Sequence, residues 1–186
     1  MTVKSRSRTI ETVLFVVQVV LLSCALGIAI DLVTANVAVE YFTVHHPHVV
    51  DSDSPWVMAF IWGIGASWWF GFAAAALLWW VNSRRAVPLH RVRVVRMVAR
   101  AMVLLWLLMM ATMVGVYLFA GMISAADRRP TFESDRRLMA VAMAHATEYA
   151  LGGLLTVILM VRIARIKHQP AGQKSTIQAQ NEESDN

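Results

Sequence analysis

Two ionisable residues lie inside an apolar stretch of the sequence, where charge is costly. His145 and Glu148 fall within residues 138–162, which are otherwise almost free of charged side chains. About 20 apolar residues are enough to cross the ~30 Å hydrocarbon core of a bilayer, and a charge at its centre costs about 2.5 to 3.5 kcal/mol. Residues three apart share one face of a helix, so the imidazole and the carboxyl group are predicted to lie side by side.

A second buried acid is predicted at Asp31, which directly follows the apolar run 12–30. Ser23, Gly27 and Asp31 are spaced by four residues and therefore share a helix face. Small residues at this spacing let a neighbouring helix approach closely. We therefore expect Asp31 to face another helix and to form, with His145 and Glu148, a polar cleft open to the outside.

Three kinds of chemistry are open to such a cleft. Glu148 could be uncharged and simply hydrogen-bond His145 or Asp31, since polar side chains often join membrane helices. A divalent metal is the second, because zinc and related ions bind imidazole and carboxylate, although H-x-x-E supplies only two ligands. The third is a path for protons or cations, for which intramembrane carboxyl groups are the usual carriers.

Further candidate metal ligands lie in residues 40–55, which contain three histidines, three carboxylates and no lysine or arginine. His45, His46 and His48 are predicted to lie above the cleft and to gather metal there, and the alternative is a surface cluster without a ligand.

Methionines of the third and fourth spans are candidate copper ligands, because thioethers suit Cu(I), and the alternative is ordinary filling of an apolar helix. These are Met102, Met109, Met113, Met139 and Met143.

The composition indicates an integral membrane protein. Of the 186 residues, 58% are hydrophobic and 16% are charged, whereas soluble domains have roughly 25% charged residues. The apolar residues form four blocks, which predict an all-α, four-helix transmembrane bundle over residues 12–167. The predicted spans are 12–38, 56–81, 101–123 and 138–162. A cleaved leader is the alternative for the first block, but its apolar run is longer than the 7–15 residues usual for such leaders.

Small residues on the second and fourth spans are further candidates for helix packing. Gly63, Ser67 and Gly71 are spaced by four residues, like Ser23 and Gly27 on the first span. Gly152 continues the helix face of His145 and Glu148. We expect these positions to allow close helix contacts.

Basic residues predict the orientation. The amino end, the 82–100 segment and the region after 161 contain thirteen of the seventeen lysines and arginines, and the 124–137 segment contains the other four. This asymmetry predicts that both termini are cytoplasmic, with a cytoplasmic segment at 1–11 and a disordered cytoplasmic tail at 168–186. The net charge of +5 therefore indicates that the basic residues contact anionic headgroups, and no nucleic-acid partner is expected. The predicted headgroup contacts are Arg84, Arg85, Arg93, Arg96 and Arg100.

Known catalytic and cofactor motifs are missing from the sequence. It has no G-x-S-x-G, P-loop, H-E-x-x-H or cysteine pair, and only His145 lies within a span, which argues against a bis-histidine haem. No cofactor other than a divalent metal is therefore expected. An enzyme using acid and base groups is left open, although no nucleophile is evident.

The segment 41–47 (YFTVHHP), the tryptophan-rich segment 61–71 (IWGIGASWWFG) and, more loosely, residues 144–146 (AHA) resemble a group of uncharacterised bacterial membrane proteins of similar size. The resemblance implies a multi-pass protein of the inner membrane and implies no activity.

The sequence leaves two functions open. One is a non-enzymatic accessory or scaffolding component that assembles as a homo-oligomer or in a larger complex through the small-residue faces. The other is a metal- or proton-handling protein.

Overall fold

The computed structural model of the chain describes residues 3–47, 49–123 and 132–166, and among these there is no strand. The helices are α1 (Val3–Val37), α2 (Glu40–Thr43), α3 (Pro55–Gly65), α4 (Trp68–Ser83), α5 (Arg91–Ile123) and α6 (Phe132–Arg165). Four segments are long and apolar enough to cross a membrane: α1, the α3–α4 pair, α5 and α6. The predicted all-helical, four-span fold is confirmed. The predicted tail at 168–186 and His48 lie outside the described residues.

The helices differ from the predicted spans. Helix α1 begins at Val3 and not at residue 12, and α6 begins at Phe132 and not at residue 138. The second span, predicted as one helix over 56–81, is divided into α3 and α4 by a turn at Ala66 and Ser67. Helix α5, which forms the third span, begins at Arg91, ten residues before the predicted span at 101–123. No proline or glycine lies between Pro88 and Ala101, so nothing ends the helix there. The arginines of this segment therefore lie on the first three turns of a continuous helix.

Helix α1 is the centre of the bundle, because it packs against α3, α4, α5 and α6. Its residues Phe15 and Val19 are fully buried, and they form one apolar cluster with Leu78 of α4 and Val98 of α5. Residues of α1, α5 and α6, together with Ala38 directly after α1, form a second apolar cluster nearer the other end: Ile30, Ala38, Met109, Met113, Ala140, Val141 and Ala144. Among the buried polar residues of α1, Ser23 lies between these two apolar clusters, whereas Asp31 and Thr34 lie beside residues of the second one.

Glycine brings α1 into backbone contact with α3 and α4. A Cβ atom on Gly63 would lie 2.6 Å from the backbone nitrogen of Ile28, and one on Gly71 would lie 2.6 Å from the Cβ of Ser23. A Cβ atom on Gly27 would collide with Ser67 and with the carbonyl oxygen of Gly63. The small-residue faces of the first two spans therefore pack against each other within one chain.

The two ends of the bundle differ in charge. At one end, here called the basic end, the Arg91 Nε donates to Glu11 Oε2 at 2.9 Å, and Arg85 donates to the carbonyl oxygens of Ile163, Ala164 and Ile166 at the end of α6. At the other end, here called the α2 end, Ser134 donates to Glu40 at 3.3 Å. The start of α1 and the end of α6 thus lie at the same end of the bundle.

The close contact at Gly63 can be tested by comparing two alanine variants of α3. We expect Gly63→Ala to lower the free energy of unfolding by about 1 to 3 kcal/mol, because backbone atoms of α1 leave no room for a methyl group. Gly65→Ala is the matched control, since a Cβ atom there has no neighbour within 4 Å. Unfolding in mixed micelles measures both, and equal stability of the two variants would contradict the packing described.

Candidate functional site

The three predicted ionisable residues meet inside the bundle. His145 Nδ1 lies 3.3 Å from Glu148 Oε2, and its Nε2 lies 3.6 Å from Asp31 Oδ1. Asp31 is 4% exposed and His145 is 8% exposed. The imidazole ring therefore lies between two carboxyl groups, one at each ring nitrogen, and this group is called the acid–imidazole cluster.

Aromatic rings from the short helix α2 cover the imidazole. The ring of Tyr41 stacks parallel to that of His145 with centroids 4.9 Å apart, and Phe42 meets it edge-on at 5.7 Å. Burial raises the pKa of the Tyr41 phenol, and the carboxyl groups of Asp31 and Glu148 raise it further. The phenol therefore keeps its proton, and its O–H stays a donor.

A second layer of rings lies outside Tyr41. His46 contacts the Tyr41 ring and the Trp62 ring, each with centroids 4.7 Å apart. Its Nδ1 lies 2.8 Å from the Tyr41 carbonyl oxygen, a distance that fits a hydrogen bond donated by the ring nitrogen. This contact fixes the loop after α2 over the cluster.

A cavity of about 50 Å³ lies between the cluster and these rings. It is called the α2-side cavity, and its lining combines carboxyl, imidazole, hydroxyl and aromatic groups. A cavity needs about 10 to 15 Å³ to hold one water, so this one has room for roughly three. The lining residues are Gly27, Asp31, Tyr41, Phe42, His46, Trp62, Ala66, Ser67, His145, Glu148 and Tyr149.

A second cavity of about 60 Å³ lies on the other side of Glu148. This inner cavity follows α6 from Glu148 past Gly152 and Thr156 to Leu159. Glu148 and Leu159 are eleven positions apart, which at about 1.5 Å per residue corresponds to about 16 Å along the helix. Its last lining residues belong to the apolar cluster of Phe15, Leu78 and Val98 at the basic end. Glu148 lines both cavities and therefore lies between them.

The turn between α3 and α4 contributes to both cavities. Ala66 and Ser67 line each of them, and the Ser67 carbonyl accepts a hydrogen bond from Ser23 at 3.1 Å. Non-helical backbone at membrane depth is tolerated where it is buried in protein or lines a cavity. The interruption of the second span thus lies at the level of the polar groups.

This geometry favours proton exchange over metal coordination. Among the residues described, no group of three or more His, Cys, Asp and Glu side chains is arranged to hold a metal ion. The two nitrogens of an imidazole point in different directions, so an ion bound to one of them would meet only one of the two carboxyl groups. A proton, by contrast, can be accepted at one nitrogen and released from the other.

The predicted loop histidines lie at different places. His45 is exposed, whereas His46 is half-buried and belongs to the aromatic layer. His48 lies outside the described residues. The structure thus brings three of the six predicted metal-site residues into one cluster and places His46 beside it.

The predicted packing and methionine residues can also be located. Gly152 lies against the ring of Phe70, which a Cβ atom would approach to 3.2 Å. Met109 and Met113 are buried in the apolar cluster near the α2 end, but Met139 and Met143 are 48% and 46% exposed. The methionines of α5 and α6 therefore do not share one site.

Sequence reasoning missed the aromatic part of the site. Tyr149 lies four residues after His145, so helical spacing could have placed it on the same face. Tyr41, Phe42 and Trp62 had no such signal, because the contacts of Tyr41 and Phe42 with His145 and of Trp62 with His46 depend on the fold of the chain between α1 and α3.

Comparison with family models, with curated proteins and with solved structures finds no match for this chain. The resemblance to four-span bacterial membrane proteins stays a prediction.

The contact between Asp31 and His145 can be measured with a double-mutant cycle. We expect Asp31→Asn and His145→Gln to show a coupling energy of about 0.5 to 3 kcal/mol, because residues in one polar network do not act independently. Asp31→Asn combined with Glu11→Gln is the control, since these residues are about 30 Å apart along α1. Unfolding free energies of the single and double variants give both values. Coupling in the control equal to that in the cluster would contradict the assignment.

Proposed function

We propose that this chain is a proton-relaying protein of the bacterial inner membrane. The observation that carries the proposal is the His145 ring between the carboxyl groups of Asp31 and Glu148. In the relay, Asp31 gives a proton to Nε2 while Nδ1 releases its proton to Glu148. The ring then carries its proton on Nε2, and the starting tautomer with the proton on Nδ1 has to be restored before the next transfer.

Two cavities support the relay. The α2-side cavity contains both Asp31 and Glu148 in its lining, and the inner cavity continues from Glu148 toward the basic end. The α2-side cavity has a polar lining and room for water, which can carry protons between polar groups at distances that direct hydrogen bonds do not reach. The inner cavity is mostly apolar, so water there would have to enter transiently. Apolar residues at the basic end close the inner cavity, so passage to that side requires an opening there.

In the proposed orientation the basic end is cytoplasmic and the α2 end faces outward. The excess of arginine at the basic end supports this orientation, because cytoplasmic segments of membrane proteins carry more basic residues. Arg93, Arg96 and Arg100 are exposed on α5 and are proposed to contact anionic headgroups. Arg84 lies over the Trp80 ring at 5.5 Å, and Arg85 donates to carbonyl oxygens at the end of α6. Their contact with headgroups stays a prediction.

The accessory or scaffolding role stays a prediction. It was based on the small-residue faces of the first two spans as surfaces for other proteins. Gly27, Gly63 and Gly71 are in contact within the chain, so they offer no surface for a partner. A homo-oligomer or larger complex would have to use other faces of the bundle.

Proton movement can be measured on protein reconstituted into liposomes that contain a pH-sensitive dye. With a potassium diffusion potential imposed, we expect the wild-type chain to carry protons at least tenfold faster than empty liposomes. Glu148→Gln should reduce the rate to the empty-liposome level, because an amide cannot accept the proton that His145 releases. His145→Gln should have the same effect.

Glu133→Gln is the matched control for Glu148→Gln. Glu133 lies on the same helix, is half-exposed and pairs with Arg136, away from the cluster. This variant should keep the wild-type rate. A wild-type rate equal to that of empty liposomes, or an unchanged rate in a folded Glu148→Gln variant, would overturn the proposal.

A further inference from the structure

The α2-side cavity combines three features that the proton relay alone does not require. Two carboxyl groups from different helices, Asp31 and Glu148, face the same small space. His145 Nε2 is buried and has no hydrogen-bond partner among the described residues. Three aromatic side chains also line the cavity on its α2 side, from Tyr41, Phe42 and Trp62. A buried polar atom without a partner costs about 1 to 3 kcal/mol, which a ligand with N–H donors would recover.

The polar groups match the head of a primary ammonium ion. When Nδ1 of His145 donates to Glu148, Nε2 is an acceptor, so the cavity presents two neighbouring acceptors, Nε2 and the Asp31 carboxylate. A primary ammonium group has three N–H donors, as the lysine side chain does, and can donate to both. Its charge would also be attracted by the Asp31 carboxylate beside it and, at longer range, by Glu148 at the other ring nitrogen.

The aromatic groups match the remainder of such an ion. Cations within about 6 Å of an aromatic ring face are attracted by about 0.5 to 2 kcal/mol, most strongly by tryptophan. The layer of Tyr41, His46 and Trp62, whose neighbouring ring centroids are 4.7 Å apart, forms a continuous wall. Such a wall accommodates the alkyl group next to the charge.

We propose that the α2-side cavity binds a short primary alkylammonium ion in competition with protons. This inference deepens the proposed function, because it names the cation that shares the site with the relayed proton. A volume of about 50 Å³ holds roughly three waters, so ammonium ions with one or two carbons fit and longer ones do not. The titratable groups facing the ligand are Asp31, Tyr41, His46, His145, Glu148 and Tyr149.

Binding can be measured by calorimetry on the purified full chain in detergent, with methylammonium chloride as the probe at pH 8. We expect saturable binding with one site per chain. Asp31→Asn should weaken it at least tenfold, because an amide removes the charge that attracts the ion. Trp62→Leu should weaken it several-fold. Tetramethylammonium, which has no N–H group, should bind at least tenfold more weakly than methylammonium.

Matched controls are available for both variants. Asp53 is exposed in the segment before α3, and Trp56 is 62% exposed on α3. Asp53→Asn and Trp56→Leu should bind methylammonium like the wild type. Saturable binding that is lost in Asp31→Asn but kept in Asp53→Asn supports the inference. Absence of saturable binding, equal binding in these two variants, or equal affinity for sodium or tetramethylammonium overturns it.

The liposome assay separates this inference from the proposed relay. If protons move through the wild-type chain but methylammonium does not bind, the ammonium site is wrong and the relay stands. If methylammonium binds and depends on Asp31, but no protons move, the relay is wrong and the cavity is a binding site for the cation itself.

Discussion

Polar groups in the hydrocarbon region of a membrane have no bulk water to satisfy them, and this constraint organises the whole bundle. Asp31, His145 and Glu148 come from two helices, and both carboxyl groups lie within hydrogen-bonding or ion-pairing distance of the His145 ring. One apolar cluster lies toward the basic end, and the other lies beside Asp31 and His145. Each of the three would be costly alone, so the packing of α1 against α6 and their polar contacts depend on one another.

The position of α1 is fixed on its other side by glycine. Gly27 and Gly63 let the backbones of α1 and α3 touch, at the level just below Asp31. If larger residues separated these helices, Asp31 would lose its fixed distance from His145. The small-residue faces thus act inside the chain as positioning elements, and the turn at Ser67 leaves space for cavities at the same depth.

The site is asymmetric along the bundle, and this asymmetry gives it a direction. On the α2 side the cluster is covered by rings and a polar cavity, whereas on the basic side Glu148 continues into a longer, mostly apolar cavity. Glu148 lines both spaces, which is the position that the proposed relay requires. The imidazole has one carboxyl group at each nitrogen, which suits transfer through the ring better than the binding of one metal ion.

The sequence by itself determined the four spans, the pairing of His145 with Glu148 and the helix face that carries Asp31. Each of these depends on local periodicity along one helix, which residue spacing expresses directly. The sequence also led us to expect Asp31 near His145, but only the tertiary structure decided that Asp31 lies at Nε2 of the ring. It alone decided that Arg85 binds the end of α6 and that Tyr41 and Trp62 cover the site. It also decided where the second span is interrupted. These features depend on contacts between segments far apart in the chain, and spacing within a single helix carries no information about such contacts.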